Sequence, residues 1–342
     1  MTSDEDAGAI GGAAGSPYWS LMPTVTASLV GIDVVSREVV WASGSFPGPG
    51  EPDGPGIVVR TEDGGASWED VTPPGGEHLA FHDIEALDRD HAVVLAIGSG
   101  TDSRIYRTSD GGETWTLVFE NQDPTAFYDG IAFFDRDHGL ALSDPVEGKF
   151  RILTTRDGGQ TWKVAPSNGM PDALPDEGAH ASGTSLVTKG PQDAWFGTVA
   201  PGRNSRVFHT RDRGLTWSVA RTPISADPPV GIFSLAFRDT QHGLALGGGN
   251  PGTDGPSVVA ATADGGKTWS RVGSPAGFRT NMALTDRRDS VVAVGFTGSD
   301  ITTDGGRTWH RFDQTDLRGV DCKQNAGCWA VGKNLIAAKL TP

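Results

Sequence analysis

Between residues 127 and 166 the chain reads "DGIAFF", "DRDH", "GLALS", "DPVEGK", "FRILTT", "RDGGQ" and "TWKVA". Short apolar runs alternate with polar, glycine-containing turns, the period of half-buried strands joined by hairpins. The order is an apolar run, a polar turn, a second run, a variable loop, a third run, an Asp-Gly turn and a fourth run through Trp. It recurs in "DIEAL", "DRDH", "AVVLAI", "IYRTS", "TWTLVF" and again in "IFSLAF", "RDTQH", "GLALGG", "SVVAAT", "TWSRV". Six such units span 29–72, 80–120, 127–166, 181–222, 231–273 and 279–313, at intervals of 40 to 55 residues. That interval fits one four-stranded propeller blade better than a helical repeat.

After Trp309 only "LRGVDC", "CWAVG" and "LIAAKL" remain, which is one strand short of a seventh blade. The unassigned run "YWSLMPTVTA" near the start supplies it, leaving no exposed sheet edge at either end of the array. The expected fold is therefore all-β. It is a seven-bladed β-propeller with four-stranded antiparallel blades, its ring closed by an N-terminal strand in the last blade; six or eight blades fit less well. Residues 17–342 form this single domain, and residues 1–16 are expected to be a disordered acidic, glycine-rich tail.

Each Asp-Gly turn repeats one set of residues: Asp63 with Trp68, Asp110 with Trp115, Asp157 with Trp162, Asp212 with Trp217, Asp264 with Trp269 and Asp304 with Trp309. An Asp in this setting accepts backbone N–H bonds, glycine permits positive φ, and the hydroxyl satisfies another main-chain group. Six copies argue for a structural role, since chemistry does not need the same acid six times around a ring. The pattern S/T-x-D-x-G-x-T/S-W is similar to BNR or Asp-box repeats, found in sialidases and in many propellers without glycosidase activity. From about residue 17 to 342 the chain resembles the photosystem II stability/assembly factor-like group of seven-bladed propellers, and within it bacterial members often labelled "oxidoreductase". The resemblance implies the architecture, while function has to be argued from a site.

Composition narrows the partners. With 43 acidic and 28 basic residues the formal charge is −15, which disfavours nucleic acid and anionic membranes. No long apolar run predicts membrane insertion, and "MTSDEDAGAIGGAAGS" lacks the basic and apolar regions of a signal peptide. As written, the chain is expected to be cytoplasmic and monomeric, or exported if a signal was removed before residue 1. Cys322 and Cys328 flank a turn in "VDCKQNAGCWAV", open to either a cross-hairpin disulfide or two reduced thiols.

Candidate chemistry comes from positions that do not repeat. His91, His138 and His242 occupy equivalent hairpin turns, and His209 shares a column with Arg60 and Arg107, so these read as structural. The Asp-Gly turns lie on one face, and the loops between blades and between second and third strands share the other, where ligands gather over a rigid scaffold. The longest loop, 166–184, ends in "DEGAHASGT", bringing Glu177 and His180 near an innermost strand as a base and its orienter, as two groups sharing a metal, or as capping residues of a solvated loop. Aligning the blades puts His82, Asp129 and Phe233 in one column at the channel end, with Asp144 opening a neighbouring loop. Glu177, His180 and Asp129 are thus the candidate catalytic groups. His82, Asp144 and Arg279 join Asp33, Glu85 and Asp321 as candidate ligand-binding groups. The last three share an innermost-strand column in "GIDV", "DIEA" and "GVDC" of adjacent blades. Crowded carboxylates there would raise a pKa or hold a divalent cation; alternatively they pair with Arg37, Arg318 or Arg279. No cofactor is predicted beyond that cation.

The leading expectation is a propeller that recognises a protein partner or small-molecule ligand on its loop and channel face. The alternative is a hydrolase, lyase or cyclase-like enzyme in the channel mouth, conceivably within a biosynthetic pathway. A sialidase is disfavoured: the family's Arg-Ile-Pro segment is missing, and of Tyr18, Tyr106 and Tyr128 only the last is expected near the channel. "GAIGGAAG" has neither the strand before it nor the helix after it that a dinucleotide fingerprint needs.

Overall fold

The computed structural model describes residues 17–22, 27–46, 55–225, 231–250, 253–333 and 337–341. Among them, 28 strands pair into seven antiparallel sheets of four. The expected tail, residues 1–16, lies outside the described residues. The innermost strands, in blade order, are Ser28–Val34, Ala80–Ala86, Tyr128–Phe133, Leu186–Lys189, Ile232–Phe237, Asn281–Leu284 and Leu317–Lys323. Blade 7 takes its outermost strand from the start of the chain, Tyr18–Met22, which pairs with Ala337–Thr341. Closure by an N-terminal strand is the arrangement the leftover apolar run predicts.

The apolar pattern follows from the stacking. Second strands such as Val40–Ser45 are buried along their whole length because a neighbouring blade covers each face. Innermost strands such as Ser28–Val34 alternate buried and half-buried positions, with one side facing the channel. Core clusters join adjacent blades: Trp41 and Val58 of blade 1 pack with Phe81, Val94 and Tyr106 of blade 2. Trp41, Trp195 and Trp329, all on second strands, are fully buried. A ring of this size removes about 150–250 Å² from water, an upper-bound gain of about 4–6 kcal/mol each.

The repeated turns hold themselves together. Asp157 Oδ1 accepts from Thr155 Oγ1 (2.8 Å) and the Thr161 N–H (2.9 Å), and its Oδ2 accepts from Thr161 Oγ1 (2.6 Å). Partial burial works against the charge of Asp157, but the Thr161 and Thr155 bonds outweigh it and lower its pKa. In the same column, Asp63 falls to about 2 on bonds from Ser67, and Asp264 to about 2 on bonds from Thr268. These acids stay ionised near neutrality. The turns between first and second strands close on the same end. His91 meets Asp88 at 2.9 Å, His138 meets Asp135 at 2.8 Å and His242 meets Asp239 at 2.9 Å. His209 bonds Asp193 at 2.8 Å and stacks on Trp195, while Arg60 lies over Trp41. Cys322 and Cys328 face each other across the first hairpin of blade 7 in a disulfide. Among the described residues no helix is long and apolar enough to cross a membrane.

Candidate functional site

Four carboxylates crowd the channel wall of blades 7, 1 and 2, each placed by an innermost strand. Asp321 Oδ2 accepts the Val34 N–H of the next blade (2.9 Å), Asp33 Oδ2 accepts the Ala86 N–H (2.6 Å), and Asp83 Oδ2 accepts the Ile131 N–H (2.7 Å). They form a relay in which each blade's acid grips the next blade's backbone. Burial, then repulsion from Asp321, raises Asp33 to about 7. Burial alone is the main cause that lifts Asp83 to about 7, its two backbone bonds opposing. Glu85 is pushed well above the usual carboxylate range by burial and by repulsion from Asp33, Asp83 and Asp321. The surroundings form a cavity of about 570 Å³ lined by Asp33, Glu85, Asp321, Lys323, Arg136 and Lys189 among others.

This arrangement corrects the expected pairing. Arg37 donates to the Asn325 carbonyl, Arg318 to Ser28 and Asp316, and Arg279 to Asp300, so the channel acids rest on backbone N–H groups and on the charge of Lys323. The cavity also reaches Leu87, Phe134 and Asp135, in the turns after the innermost strands. It therefore opens on the turn face, opposite the loop face that the sequence singles out. Among the described residues no three His, Cys, Asp or Glu side chains converge as a metal-binding set.

At the loop end, the sequence-aligned column becomes a recurring bulge. Pairing skips one residue on five innermost strands, at Val30, His82, Asp129, Phe233 and Arg318. A bulge turns that side chain away from its regular strand direction. Over these residues the segment before blade 4 crosses the channel. The His82 ring approaches the Ala181 carbonyl (3.3 Å), His180 stacks on Phe233 with centroids 4.1 Å apart, and Ser182 Oγ donates to the Phe233 carbonyl (2.7 Å). Thr184 bonds Ser234 and Asn281 of blades 5 and 6. Blade 4 consequently begins its innermost strand at Leu186 rather than at 181, because residues 179–184 bond across the channel instead of within their own sheet.

Glu177 and His180 are not brought together: one faces Arg206 and the other Phe233. The Glu177 carboxylate is buried in a bidentate pair with Arg206, whose Nε donates to Oε1 (2.8 Å) and whose Nη2 donates to Oε2. Thr198 Oγ1 (2.7 Å) and the Leu174 N–H (2.8 Å) complete its bonding. With its oxygens engaged in this way, Glu177 anchors the loop. Arg279, expected to face a ligand, is fully buried and donates to Asp300 Oδ2 (2.6 Å), Thr297 and the Phe278 carbonyl. Tyr128, expected beside the channel, turns outward against Phe119 between blades 2 and 3.

Asp129 and Asp144 are brought together. Asp129 is 2% exposed, and its Oδ2 has no hydrogen-bond partner. Burial and then the Asp144 charge push its pKa far up, while a backbone N–H bond from Asp144 works the other way. Asp144 accepts the Ala179 N–H at 2.8 Å, and burial raises its pKa too. Beside it runs an open groove of about 750 Å³ between blades 3 and 4, lined by Asp144, Pro145, Leu174, Asp176 and Val199 among others. Asp83, Lys323 and Arg206 are the residues that sequence reasoning passed over. Asp83 opens the quoted run "DIEA" and is paired in regular register two residues before Glu85, so the strand period of two, which places both on one side, was the signal that could have found it.

In sequence, no family model and no curated protein matches the chain. In structure it is similar to YCF48 from Cyanidioschyzon merolae, with a TM-score of 0.65 and 16% identity over 95% of this chain and 98% of that one. YCF48 bound to D1 peptide is similar to the same degree, at 0.65 and 16%, over 95% and 97% of the two chains. The α-L-arabinofuranosidase Arb93A from Fusarium graminearum aligns with a TM-score of 0.50 and 14% identity over 96% and 98%. At these identities the likeness shows the propeller fold alone.

Proposed function

We propose that the protein is a binding or assembly propeller that recognises a protein or small-molecule ligand in the loop-face groove between blades 3 and 4. One observation carries this reading. Residues 179–184 span the channel mouth, and Glu177 is consumed by Arg206, so among the described residues the concavity beside these groups is the groove rather than a pocket joining Asp129, Glu177 and His180. Broad recognition at variable loops over a rigid ring suits partner binding. The repeated Asp-Gly turns, taken as Asp-box repeats of an assembly-factor-like propeller, agree with it, as does the peptide in one structural neighbour. A hydrolase- or lyase-like reading has the paired Asp129 and Asp144 in its favour, since two carboxyls with raised pKa values can divide acid and base roles.

Hydrogen exchange across a peptide and metabolite library separates the two. The binding reading expects protection at 144–148 and 173–179 with no ligand consumed. Turnover of a library compound that is lost in both Asp129→Asn and Asp144→Asn would overturn it in favour of the enzyme.

A further inference from the structure

We propose that Asp144, in the blade 3 wall of the loop-face groove with Asp129 buried behind it, receives the cationic end of the ligand, an ammonium or guanidinium group; this rests on the reading of that groove as a binding site. The first observation is an orphan. Asp129 Oδ2 is buried without a hydrogen-bond partner, beside a second carboxylate that lines the groove. A buried acceptor left unsatisfied is costly, the more so when charged, so this one marks a place where the protein leaves negative charge unmatched.

The second observation is that the protein supplies no cation of its own. Among the described residues neither Asp129 nor Asp144 takes part in an ion pair, and the basic side chains of blades 3 and 4 nearby are committed elsewhere. Lys149 holds Asp172 and the Met170 carbonyl, Arg151 holds Asp123, Arg206 holds Glu177, and Arg203, at the groove edge, donates to the Pro175 and Pro201 carbonyls and to neither acid. The third is the way Asp144 is held. It accepts the Ala179 N–H, and a side chain at Gly178 would meet its Oδ1 at 2.9 Å, so the glycine lets the channel-crossing segment close directly onto the acid. Asp144 is thereby fixed in the groove wall.

The donor count distinguishes the kind of cation. A calcium ion takes six to eight oxygen ligands, and no third carboxylate joins this pair among the described residues. A carboxylate in the groove wall with a second one behind it instead suits a single ammonium or guanidinium group. The open groove leaves room for the chain that carries it. Burial raises the pKa of both carboxyls, and a bound cation would oppose that by favouring their ionised forms, so binding is accompanied by proton release.

Calorimetry tests this with N-acetyl-arginine amide, its neutral isostere N-acetyl-citrulline amide, agmatine and an arginine-centred hexapeptide. Buffers of unlike ionisation enthalpy report the proton, and hydrogen exchange reports the location. The arginine compounds should bind with proton release, and the citrulline compound about tenfold or more weakly. Asp129→Asn and Asp144→Asn, checked for unchanged melting, should each cost the arginine compounds a similar factor, whereas Glu69→Gln on the outer strand of blade 1 should cost nothing. Both a hexapeptide far tighter than agmatine and equal binding of the two support the proposal, the first indicating a peptide source and the second a small amine. Equal affinity for arginine and citrulline compounds, or full binding by both Asp variants, overturns it. If neutral or acidic peptides then protect 144–148 and 173–179, only the charge preference fails. If no probe protects those segments, the groove reading falls with it.

Discussion

The two ends of one channel handle buried charge in opposite ways. At the loop end, Glu177 is matched to Arg206 and Arg279 to Asp300, opposite charges locked together before any ligand arrives. At the turn end, Asp33, Glu85 and Asp321 sit within reach of one another's repulsion, tempered by backbone N–H groups and Lys323. The contrast teaches that exposure to water and not sign of charge decides what such a cluster does. Glu177 and Arg279, closed to water, are paired and become scaffold, while the carboxylates lining the open cavity can exchange protons with solvent; Asp129, buried and unpaired at the loop end, is the exception that the proposed cation would balance.

The most severe way to break the comparison is Glu177→Ala, which strands the Arg206 guanidinium in the interior. It should destabilise the protein by about 3–5 kcal/mol, read as a lowered denaturant midpoint at unchanged slope. A loss below about 1 kcal/mol would mean that the pair is solvated and that the two ends are alike.

A smaller effect, dependent on pH, is expected at the other end. Asp33 and Asp83 carry folded pKa values of about 7 against an ordinary value of 3.8, so the folded state holds protons that the unfolded chain releases. Their contribution is therefore greatest below pH 4 and is lost as pH climbs through 7. Asp33→Asn keeps an acceptor for the Ala86 N–H but cannot ionise. Its melting temperature should match wild type near pH 4 and exceed it at pH 8, and the reverse order would show that the ionised Asp33 stabilises the ring. The mildest change is His180→Ala, which removes one stacked contact on Phe233. It should cost about 0.5–1.5 kcal/mol in chemical denaturation and speed amide exchange at 179–184 ahead of the rest of blade 4.

The architecture was legible because its pattern is written six times and the remainder is one strand short of a seventh. Alternating apolar runs and the Asp-Gly turns give the blades their boundaries to within a few residues, and the spare run at Tyr18 announces how the ring closes. The channel column of Asp33, Glu85 and Asp321 was readable for the same reason, since equivalent strand positions in neighbouring blades must approach one another. What repeats cannot convey is the path of a loop that occurs once. Nothing in "DEGAHASGT" announces that Glu177 turns to Arg206, 29 residues onward, while His180 reaches blade 5. Hydrophobic period fixes the face a strand residue takes, but a loop residue's direction depends on partners brought close only by the finished fold. Arg279 failed for a related reason: an arginine at a strand entrance looks available until the Asp300 beneath it is known.

The pairing of Tyr18–Met22 with Ala337–Thr341 also sets a timetable for synthesis. The first of these strands leaves the ribosome 315 residues (337 − 22) before its partner begins to appear. At about 5–20 residues per second, that is a wait of roughly 15 to 60 s. Throughout it, an apolar strand with unpaired backbone is on offer to any other nascent chain, and six blades can assemble around a gap that closes only once Ala337–Thr341 has been made. The closure that leaves the finished ring without a loose edge makes its first strand the last to be safe.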